Sequence, residues 1–480
     1  MTDHIGTARD TDRQEPRVTT GEAQDTAVHD GDAAPAHERR RAQRGWYFYD
    51  WANSVFSTSV ITVFLGPYLT DVAEAAAGPD GYVHPLGIPV RAGAYFAYVV
   101  SASVLLSVLV MPLAGAVADR TGRKKALLGT FAYIGAAATT AMFFVTGDRY
   151  LLGGGLLIVA NVAFASAMVL YNAFLPEIAE PHERDAVSSR GWAFGYAAGA
   201  LMLVANLALF LGHDAVGLSK GMAVRICLAS AGLWWAVFTL IPLLRLRDSA
   251  PGARPGGKTV KGGAGSLRQG WRQLAATLRD MRRHPLTLAF LLAYLVYNDG
   301  IQTVISQASL YGSEELELDE TALIGAILLV QVLAVFGALL LGRLAARYGA
   351  RRTVLGSLVA WTLTIGAGFF LPAGEPVAFY CLAAAIGMVL GGSQALSRSL
   401  FSHLIPRGKE AEYYSVYEIS DRGTSWLGPL LFGLTYQLTG SYRDAIVSLV
   451  AFFVIGFVLL ARVPMRRAVA AAGNPVPETI

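Results

Sequence analysis

Twelve long apolar runs, separated by polar stretches, set the pattern of the chain. They fall at about residues 46–69, 92–118, 126–146, 151–174, 191–211, 224–244, 286–310, 321–342, 354–371, 377–401, 423–439 and 445–461. A helix that crosses a bilayer needs about 20 mostly apolar residues. A polar break of about forty residues, 245–285, divides the runs into two sets of six. The pattern predicts an all-α integral membrane protein with twelve transmembrane helices in two six-helix bundles.

Lysine and arginine crowd alternate loops of this arrangement. They fill the loop after the second run, the central break and the loop after the eighth run. The loop after the seventh run, residues 314–320, carries five acids and no cation. Because cytoplasmic loops are enriched in Lys and Arg, both termini and the central break are predicted to be cytoplasmic, in a multi-pass protein of the cell membrane.

Five segments follow from this pattern. Residues 1–44 are polar and charged without an apolar run, which predicts a disordered cytoplasmic tail. The six-helix bundles are placed at 45–245 and 286–462, the linker at 246–285, and a second cytoplasmic tail at 463–480. An amphipathic cytoplasmic helix is predicted within the linker, with these side chains on its apolar side: Trp271, Leu274, Leu278 and Met281.

Composition changes this picture little. Charged residues make up 15% of the chain, against about a quarter in soluble domains, so lipid is the expected surrounding. The net charge of +4 is too small to indicate nucleic acid binding. Cys227 and Cys381 both lie in apolar runs, which indicates neither a disulfide framework nor a metal site. No cofactor is expected. Residues 252–259 fit a phosphate-binding P-loop, but they follow a membrane helix instead of a β-strand, so they are interpreted as flexible linker.

A glycine- and arginine-rich motif recurs once in each half. The first copy follows the second run and consists of Gly115, Asp119, Arg120, Gly122, Arg123, Lys124 and Lys125. The second copy follows the eighth run, about 227 residues later, and consists of Gly342, Arg347, Gly349, Arg351 and Arg352, with Ala346 in place of the acid. An even number of helices per repeat keeps both halves in the same orientation, as in secondary transporters with parallel repeats.

The first copy resembles the signature loop of the major facilitator superfamily, G-x-x-x-D-R-x-G-R-R/K-K/R. Gly115 is expected to allow a close helix approach and Gly122 a tight turn. Asp119 and Arg120 are expected to latch the cytoplasmic side, with Glu177 or Glu180 and the start of the eleventh helix near Arg422 as partners. The second copy is expected to form a weaker latch because Ala346 replaces the acid.

A narrower resemblance spans residues 46–462. It is carried by residues 49–54, 189–196, 297–303, 394–399 and 426–433. Together they are similar to the branch of the superfamily that contains the autophagy-related vacuolar amino-acid effluxers and their bacterial relatives. That resemblance implies transport, with amino acids as the suggested solute.

Polar side chains form one stripe in the first helix and another in the seventh, since residues three, four and seven apart share a face. The first stripe is Asp50, Asn53, Ser54 and Ser57, and the second is Asp299, Gln302, Thr303 and Ser306. They are expected to form two walls of one pathway. Asp299 lies near the bilayer midplane and is the preferred substrate or proton-coupling residue, against a structural ion pair or a capped polar core. Asp50 lies nearer the cytoplasm and equally fits a solvated interfacial acid.

Arg398 lies inside an apolar run, where it either pairs with an acid near the gate or binds an anionic group of the substrate. Other polar residues in the helices are expected to make interhelical hydrogen bonds: Asn161, Asn172, Asn206, Gln331 and Gln394.

These features predict a monomeric secondary active transporter that moves a small polar solute across the bilayer by alternating access, with protons as a candidate coupling ion. An integral membrane enzyme is disfavoured because H-E-x-x-H, G-x-S-x-G and aspartate-rich metal patterns are absent. The alternative that stays open is a membrane sensor or scaffold of the same fold that binds without transport.

Overall fold

The computed structural model describes Thr2 and residues 36–248, 267–422 and 427–480. Its helices form twelve spans. The first six are Ala36–Ala75, Tyr95–Thr121, Lys124–Ala141, Tyr150–Ala173, Arg184–Leu211 and Lys220–Arg245. The second six are Pro285–Glu314, Glu320–Tyr348, Ala350–Gly368, Pro376–Ser402, the pair Glu410–Arg422 and Leu427–Thr439, and the pair Tyr442–Ser448 and Val450–Arg462. We number them spans 1 to 12.

Shorter elements connect the spans. The linker helix, Leu267–Met281, precedes span 7, and the tail helix, Met465–Ala471, follows span 12. The strands Tyr82–Val83 and Val90–Arg91 pair in an antiparallel hairpin between spans 1 and 2. Single turns occur at Pro85–Gly87, Ala92–Ala94, Met142–Phe144, Leu175–Ile178 and Asp214–Val216. We call the side that carries the linker helix and Gly349 the basic face, and the opposite side, which carries residues 315–319, the acidic face.

Ten helices in the described part of the chain are long and apolar enough to cross a membrane. Spans 9 and 11 complete the twelve, so the predicted fold of two six-helix bundles is confirmed. Span 9 begins at Ala350 and carries Arg351 and Arg352 in its first turn. Residues 423–426 of the chain, which include Gly423 and Trp426 of the predicted motifs, lie outside the described residues.

Two predicted helix starts were wrong. Span 11 begins at Glu410 instead of residue 423, and span 5 begins at Arg184 instead of residue 191. Both added segments are rich in charged residues, so an apolar-run criterion treats them as loops. Their charges are nevertheless satisfied inside the protein. Arg184 is buried and donates to the main-chain carbonyl of Ser402, 3.0 Å away, and Glu410 pairs with a buried lysine.

The predicted disordered tail also extended too far. Span 1 begins at Ala36, and its polar first turns are held by the connection between spans 4 and 5. Arg39 forms an ion pair of 2.6 Å with Glu180, and the buried Gln43 donates to the main-chain carbonyl of Ile178 at 3.0 Å. The rest of the predicted tail, apart from Thr2, and linker residues 249–266 lie outside the described residues.

Candidate functional site

A cavity of about 810 Å³ lies between the two halves of the molecule. Its wall runs from Arg398 and Glu418 at the deep end to Ser309 and Leu323, near the acidic-face ends of spans 7 and 8. Most of the wall is apolar, and charged side chains gather at the deep end. The cavity therefore reaches from the middle of the protein toward the acidic face.

The polar stripe of span 1 lines this cavity, as predicted. Asp50, Asn53, Ser54 and Ser57 all contribute to the wall. Residues Phe56–Phe64 form a π-helix, in which the Thr62 hydroxyl donates to the main-chain carbonyl of Ser57, 2.8 Å away and five residues back. Wide turns of this kind are frequent at functional sites. Here the widened turn exposes small hydroxyl side chains to the cavity.

The predicted stripe of span 7 is divided. Gln302 and Ser306 line the cavity, whereas Asp299 and Thr303 are buried on another side of the helix and do not. A methyl group added to Gly428 of span 11 would collide with the Thr303 hydroxyl and lie 3.2 Å from the main-chain oxygen of Asp299. Asp299 therefore sits where spans 7 and 11 pack, and the expectation that it faces Asn53 across the pathway was wrong.

An ion pair crosses the two halves at the deep end. Arg398 of span 10 and Asp50 of span 1 are both buried, with Nη1 and Oδ2 3.4 Å apart. The Tyr171 hydroxyl donates to the same carboxylate oxygen at 2.6 Å. Of the two alternatives left open for Arg398, the structure has the acid partner. Asp50, predicted to lie near the interface, is instead enclosed.

Aromatic rings and main-chain atoms hold the arginine. The Arg398 guanidinium lies 4.7 Å from the centre of the Trp46 ring and 5.4 Å from that of Trp192, and it donates to the main-chain carbonyl of Ser188 at 2.9 Å. Gly191 makes room for the pair, since an added methyl group would lie 2.7 Å from the Asp50 carboxylate. This packing leaves the guanidinium few ways to move while the halves stay together.

A second charged group lines the deep end from span 11. Glu418 accepts from Arg422 at 3.3 Å and from the Asn172 amide of span 4 at 2.6 Å. Asp421 accepts from the Tyr294 hydroxyl at 2.6 Å and from the Asn298 amide at 2.9 Å. The cavity thus presents carboxylates and guanidinium groups side by side.

The first glycine–arginine motif closes the basic face. A methyl group on Gly115 would lie 2.5 Å from the main-chain oxygen of Ala411, so spans 2 and 11 touch through their backbones. Asp119 accepts from the backbone N–H of Glu412 at 2.9 Å, in the first turn of span 11. The positive end of a helix favours such an anion. Gly122 ends span 2 with φ of 68°, as the predicted turn requires.

Lys124 lies at the centre of this contact between the halves. It is buried, and its Nζ lies 2.5 Å from Glu177, 3.2 Å from Glu410 and 3.4 Å from Asp119. Two of these acids belong to the first half and Glu410 to the second. One cation therefore bridges three carboxylates and both halves.

Arg120 and the linker helix add a strap across the basic face. Arg120 donates to the Gln273 side chain at 3.0 Å instead of reaching the predicted acids. At the end of the linker helix, Asp280 accepts from Lys409 at 2.6 Å and from the Tyr413 hydroxyl at 3.0 Å. Burial raises the pKa of Asp280, but these hydrogen bonds and the lysine charge outweigh it and hold the pKa below its usual range. The strap is therefore intact at neutral pH and weakens only in acid.

The second copy of the motif behaves differently. Gly342 does pack against the other half, since an added methyl group would lie 2.6 Å from the Ser189 hydroxyl oxygen of span 5. Its basic residues do not bridge the halves. Arg351 donates to the main-chain carbonyl of Ala461 in span 12, and Gly349, with φ of 89°, turns the chain into span 9. In the part of the chain that the structure describes, the contact of this copy with the other half is made by Gly342.

The amide side chains singled out in the sequence make the expected interhelical hydrogen bonds. Three of these bonds join the halves: Gln331 with Thr58 at 3.0 Å, Gln394 with Tyr196 at 2.7 Å, and Asn172 with Glu418 as described. The other two lie within the first half, Asn161 with Ser103 and Asn206 with Ser230.

Sequence reasoning missed the charged lining from span 11. Residues 410–422 contain four acids and fail any hydropathy criterion, yet Tyr414, Glu418 and Arg422 recur at intervals of four. That period of polar and aromatic side chains is the signal of a helix with one buried polar face. Among the described residues, no group of three or more His, Cys, Asp or Glu side chains is arranged to hold a metal ion.

Comparison with known proteins agrees with this architecture. Residues 38–473 match the family described as vacuole effluxer Atg22 like. The chain belongs to this family of major facilitator transporters. The MFS-type transporter YxiO of Bacillus subtilis (strain 168) is 29% identical over 426 residues, which cover 88% of this chain and 95% of that protein. Autophagy-related protein 22 of Yarrowia lipolytica (strain CLIB 122 / E 150) is 30% identical over 470 residues, with coverage of 81% and 78%.

Solved structures share the fold. The major facilitator transporter FucP in its outward conformation superimposes with a TM-score of 0.64 at 13% identity, covering 88% of this chain and 98% of FucP. The chain is thus a multi-pass membrane protein and a transporter of the Atg22-like family.

Proposed function

We propose that this transporter moves a small zwitterionic solute, such as an amino acid, by alternating access. The observation that carries the proposal is the deep end of the cavity, where Asp50, Glu418 and Asp421 lie beside Arg398 and Arg422. A zwitterion offers one group of each charge, and each would find a partner of opposite sign there. The apolar wall suits the rest of such a solute.

Flux into proteoliposomes tests this function. The purified chain is reconstituted and supplied with radiolabelled neutral amino acids, with protein-free liposomes as the blank. Saturable uptake is expected. Binding to the purified chain without flux would favour the sensor or scaffold alternative. If no amino acid either binds or is transported, amino acids are excluded as the solute class.

We infer that protons are the coupling ion, through the pair Asp50–Arg398. The pair joins the two halves, so opening the basic face must separate it. A bare charge left in an apolar site is strongly disfavoured. A proton on Asp50, together with a substrate carboxylate on Arg398, would satisfy both groups when they part. The cavity lies within one chain, so a monomer suffices as the transport unit.

The basic face is proposed to be cytoplasmic in the cell membrane, with both termini on that side. The support is the excess of Lys and Arg in its loops. On this orientation the described cavity faces outward. In a chain whose two native cysteines are replaced, a cysteine at position 266 should resist an impermeant thiol reagent in intact cells and react once the cells are opened. Labelling in intact cells would overturn the orientation.

Gly115→Ala is expected to weaken the closed basic face and lower flux severalfold. The added methyl group would meet the Ala411 carbonyl at 2.5 Å, and a backbone atom cannot rotate away. Initial uptake rates at equal protein content measure the effect. Gly155→Ala in span 4 is the matched control, because nothing lies within 4 Å of its added methyl group. Equal flux in the two variants would contradict the role of this helix contact.

A further inference from the structure

The arginines of the second motif copy are left without a role in the closed face. Arg347, Arg351 and Arg352 surround the turn between spans 8 and 9. Lys124, in the corresponding part of the first copy, is neutralised by three carboxylates. Among the described residues, no carboxylate lies within 4 Å of these three arginines. Their charges are therefore available to an outside group.

These side chains converge on one cleft. A cavity of about 280 Å³ is lined by Arg347, Arg351 and Arg352, by Arg466 of the tail helix, and by residues 478–480. Four guanidinium groups from three elements thus face the same space, which Glu478 and the terminal residue Ile480 also line. The Arg466 guanidinium donates to the main-chain carbonyl of Glu478 at 2.7 Å, which holds the chain end as one wall.

Two details indicate an anion in this cleft. The Nε of Arg351 is buried and has no hydrogen-bond partner among the described residues, although its Nη2 is anchored on Ala461. Span 9 begins at Ala350 beside the cleft, and no described side chain caps its first turn. Free guanidinium N–H groups and the start of a helix are both donors that suit phosphate oxygens.

We propose that this cleft binds a phosphate group, carried either by the headgroup of an anionic phospholipid or by a free phosphate. The planar guanidinium pairs with phosphate oxygens through two hydrogen bonds at once. The cleft lies at the end of spans 8 and 9 on the basic face, at the level of a bilayer surface, where basic pockets between helices accept lipid headgroups. The site is separate from the central cavity.

Binding to the purified full-length chain in neutral detergent tests the proposal. One arm adds inorganic phosphate, and the other adds phosphatidylglycerol, with phosphatidylcholine as its blank. The concentration dependence of the thermal unfolding midpoint gives the apparent affinity. The double variant Arg352→Gln/Arg466→Gln should bind the active probe about tenfold more weakly, since two charge-assisted contacts are lost.

The matched control is Arg343→Gln/Arg467→Gln, which removes the same charge from exposed neighbours outside the cleft. It should keep the wild-type affinity. Stabilisation by phosphatidylglycerol alone supports a lipid site, and stabilisation by inorganic phosphate supports a site for the free group. No stabilisation by either probe, or an equal loss in both double variants, would overturn the site. Unchanged helix content and elution volume verify that the variants are folded.

Discussion

Asp50→Asn is expected to lower flux more than tenfold and to remove its dependence on an imposed pH gradient. The substitution keeps the shape of the side chain but leaves the buried Arg398 charge without its counterion. Breaking one partner of a buried pair costs about 3–5 kcal/mol. That penalty applies to the described state, in which the basic face is closed. A shift of this size changes a conformational equilibrium more than a hundredfold, which takes two equally populated states to a ratio of roughly 1:99 or beyond.

The direction of the conformational shift in Asp50→Asn follows from the geometry of the Asp50–Arg398 pair. Protonation of Asp50 and substitution by Asn both neutralise the carboxylate that ties span 1 to span 10. Either change therefore favours separation of the halves at the basic face. The variant resembles a permanently protonated transporter, and a pH gradient has no proton left to drive through this site. Uptake into proteoliposomes at equal and at unequal pH, wild type beside variant, measures both effects.

Two further variants distinguish a coupling pair from a packing contact. Asp50→Asn/Arg398→Gln removes both charges, so its unfolding midpoint should lie closer to wild type than that of either single variant. Its flux should stay low, because the charges are absent. Asp299→Asn makes the same chemical change at a buried acid outside the cavity lining. If Asp299→Asn removes the pH dependence and Asp50→Asn does not, coupling belongs to the acid first preferred from the sequence.

The fold was predictable because bilayer thickness and backbone hydrogen bonding restrict a spanning segment to one shape and length. Ten spans within the described residues satisfy that rule directly. The motif around Gly115 was predictable in the same sense. The spacing of the motif predicts a close helix contact at Gly115 and a tight turn at Gly122. The structure has both, with Gly115 against the Ala411 backbone and Gly122 at a positive φ after span 2.

The candidate site was less predictable, because partners determine the environment of a charge. Counting residues from the basic end of span 1 predicts that Asp50 lies near water. In the structure, Tyr171 of span 4 and Arg398 of span 10 contact its carboxylate and enclose it. Asp299 lies in the middle of span 7, Pro285–Glu314, yet its side chain does not line the cavity. Depth follows from position along one helix, whereas the direction of a side chain depends on how the helices pack.

Span 11 illustrates the same limit for a whole segment. Its first half carries Glu410, Glu412, Glu418, Asp421 and Arg422, which no hydropathy rule assigns to a membrane helix. Apart from the pair that Glu418 forms with Arg422, the partners described for these charges lie elsewhere in the chain. Lys124 of span 3 and Asn172 of span 4 meet the acids at Glu410 and Glu418. Only the assembled bundle makes this charged segment part of the cavity and of the gate.

Lys124→Gln is expected to open the basic face and to reduce flux more than tenfold. Without the ammonium group, Asp119, Glu177 and Glu410 repel one another across the junction of the two halves. Three close carboxylates that lose their shared cation are destabilised by about 3–5 kcal/mol. The penalty falls when the halves separate, because Glu410 then moves away from the other two and water reaches all three.

The change in shape is measurable directly. Spin labels at His182 and Arg407, exposed positions of the first and second half on the basic face, report the distance between the halves once the native cysteines are replaced. In Lys124→Gln this distance should shift to longer values than in the labelled parent. Arg123→Gln is the matched control, because it removes the same charge from an exposed neighbour in the same motif. If Arg123→Gln lengthens the distance as much, the net charge of the loop holds the face closed, and the three-carboxylate contact of Lys124 does not.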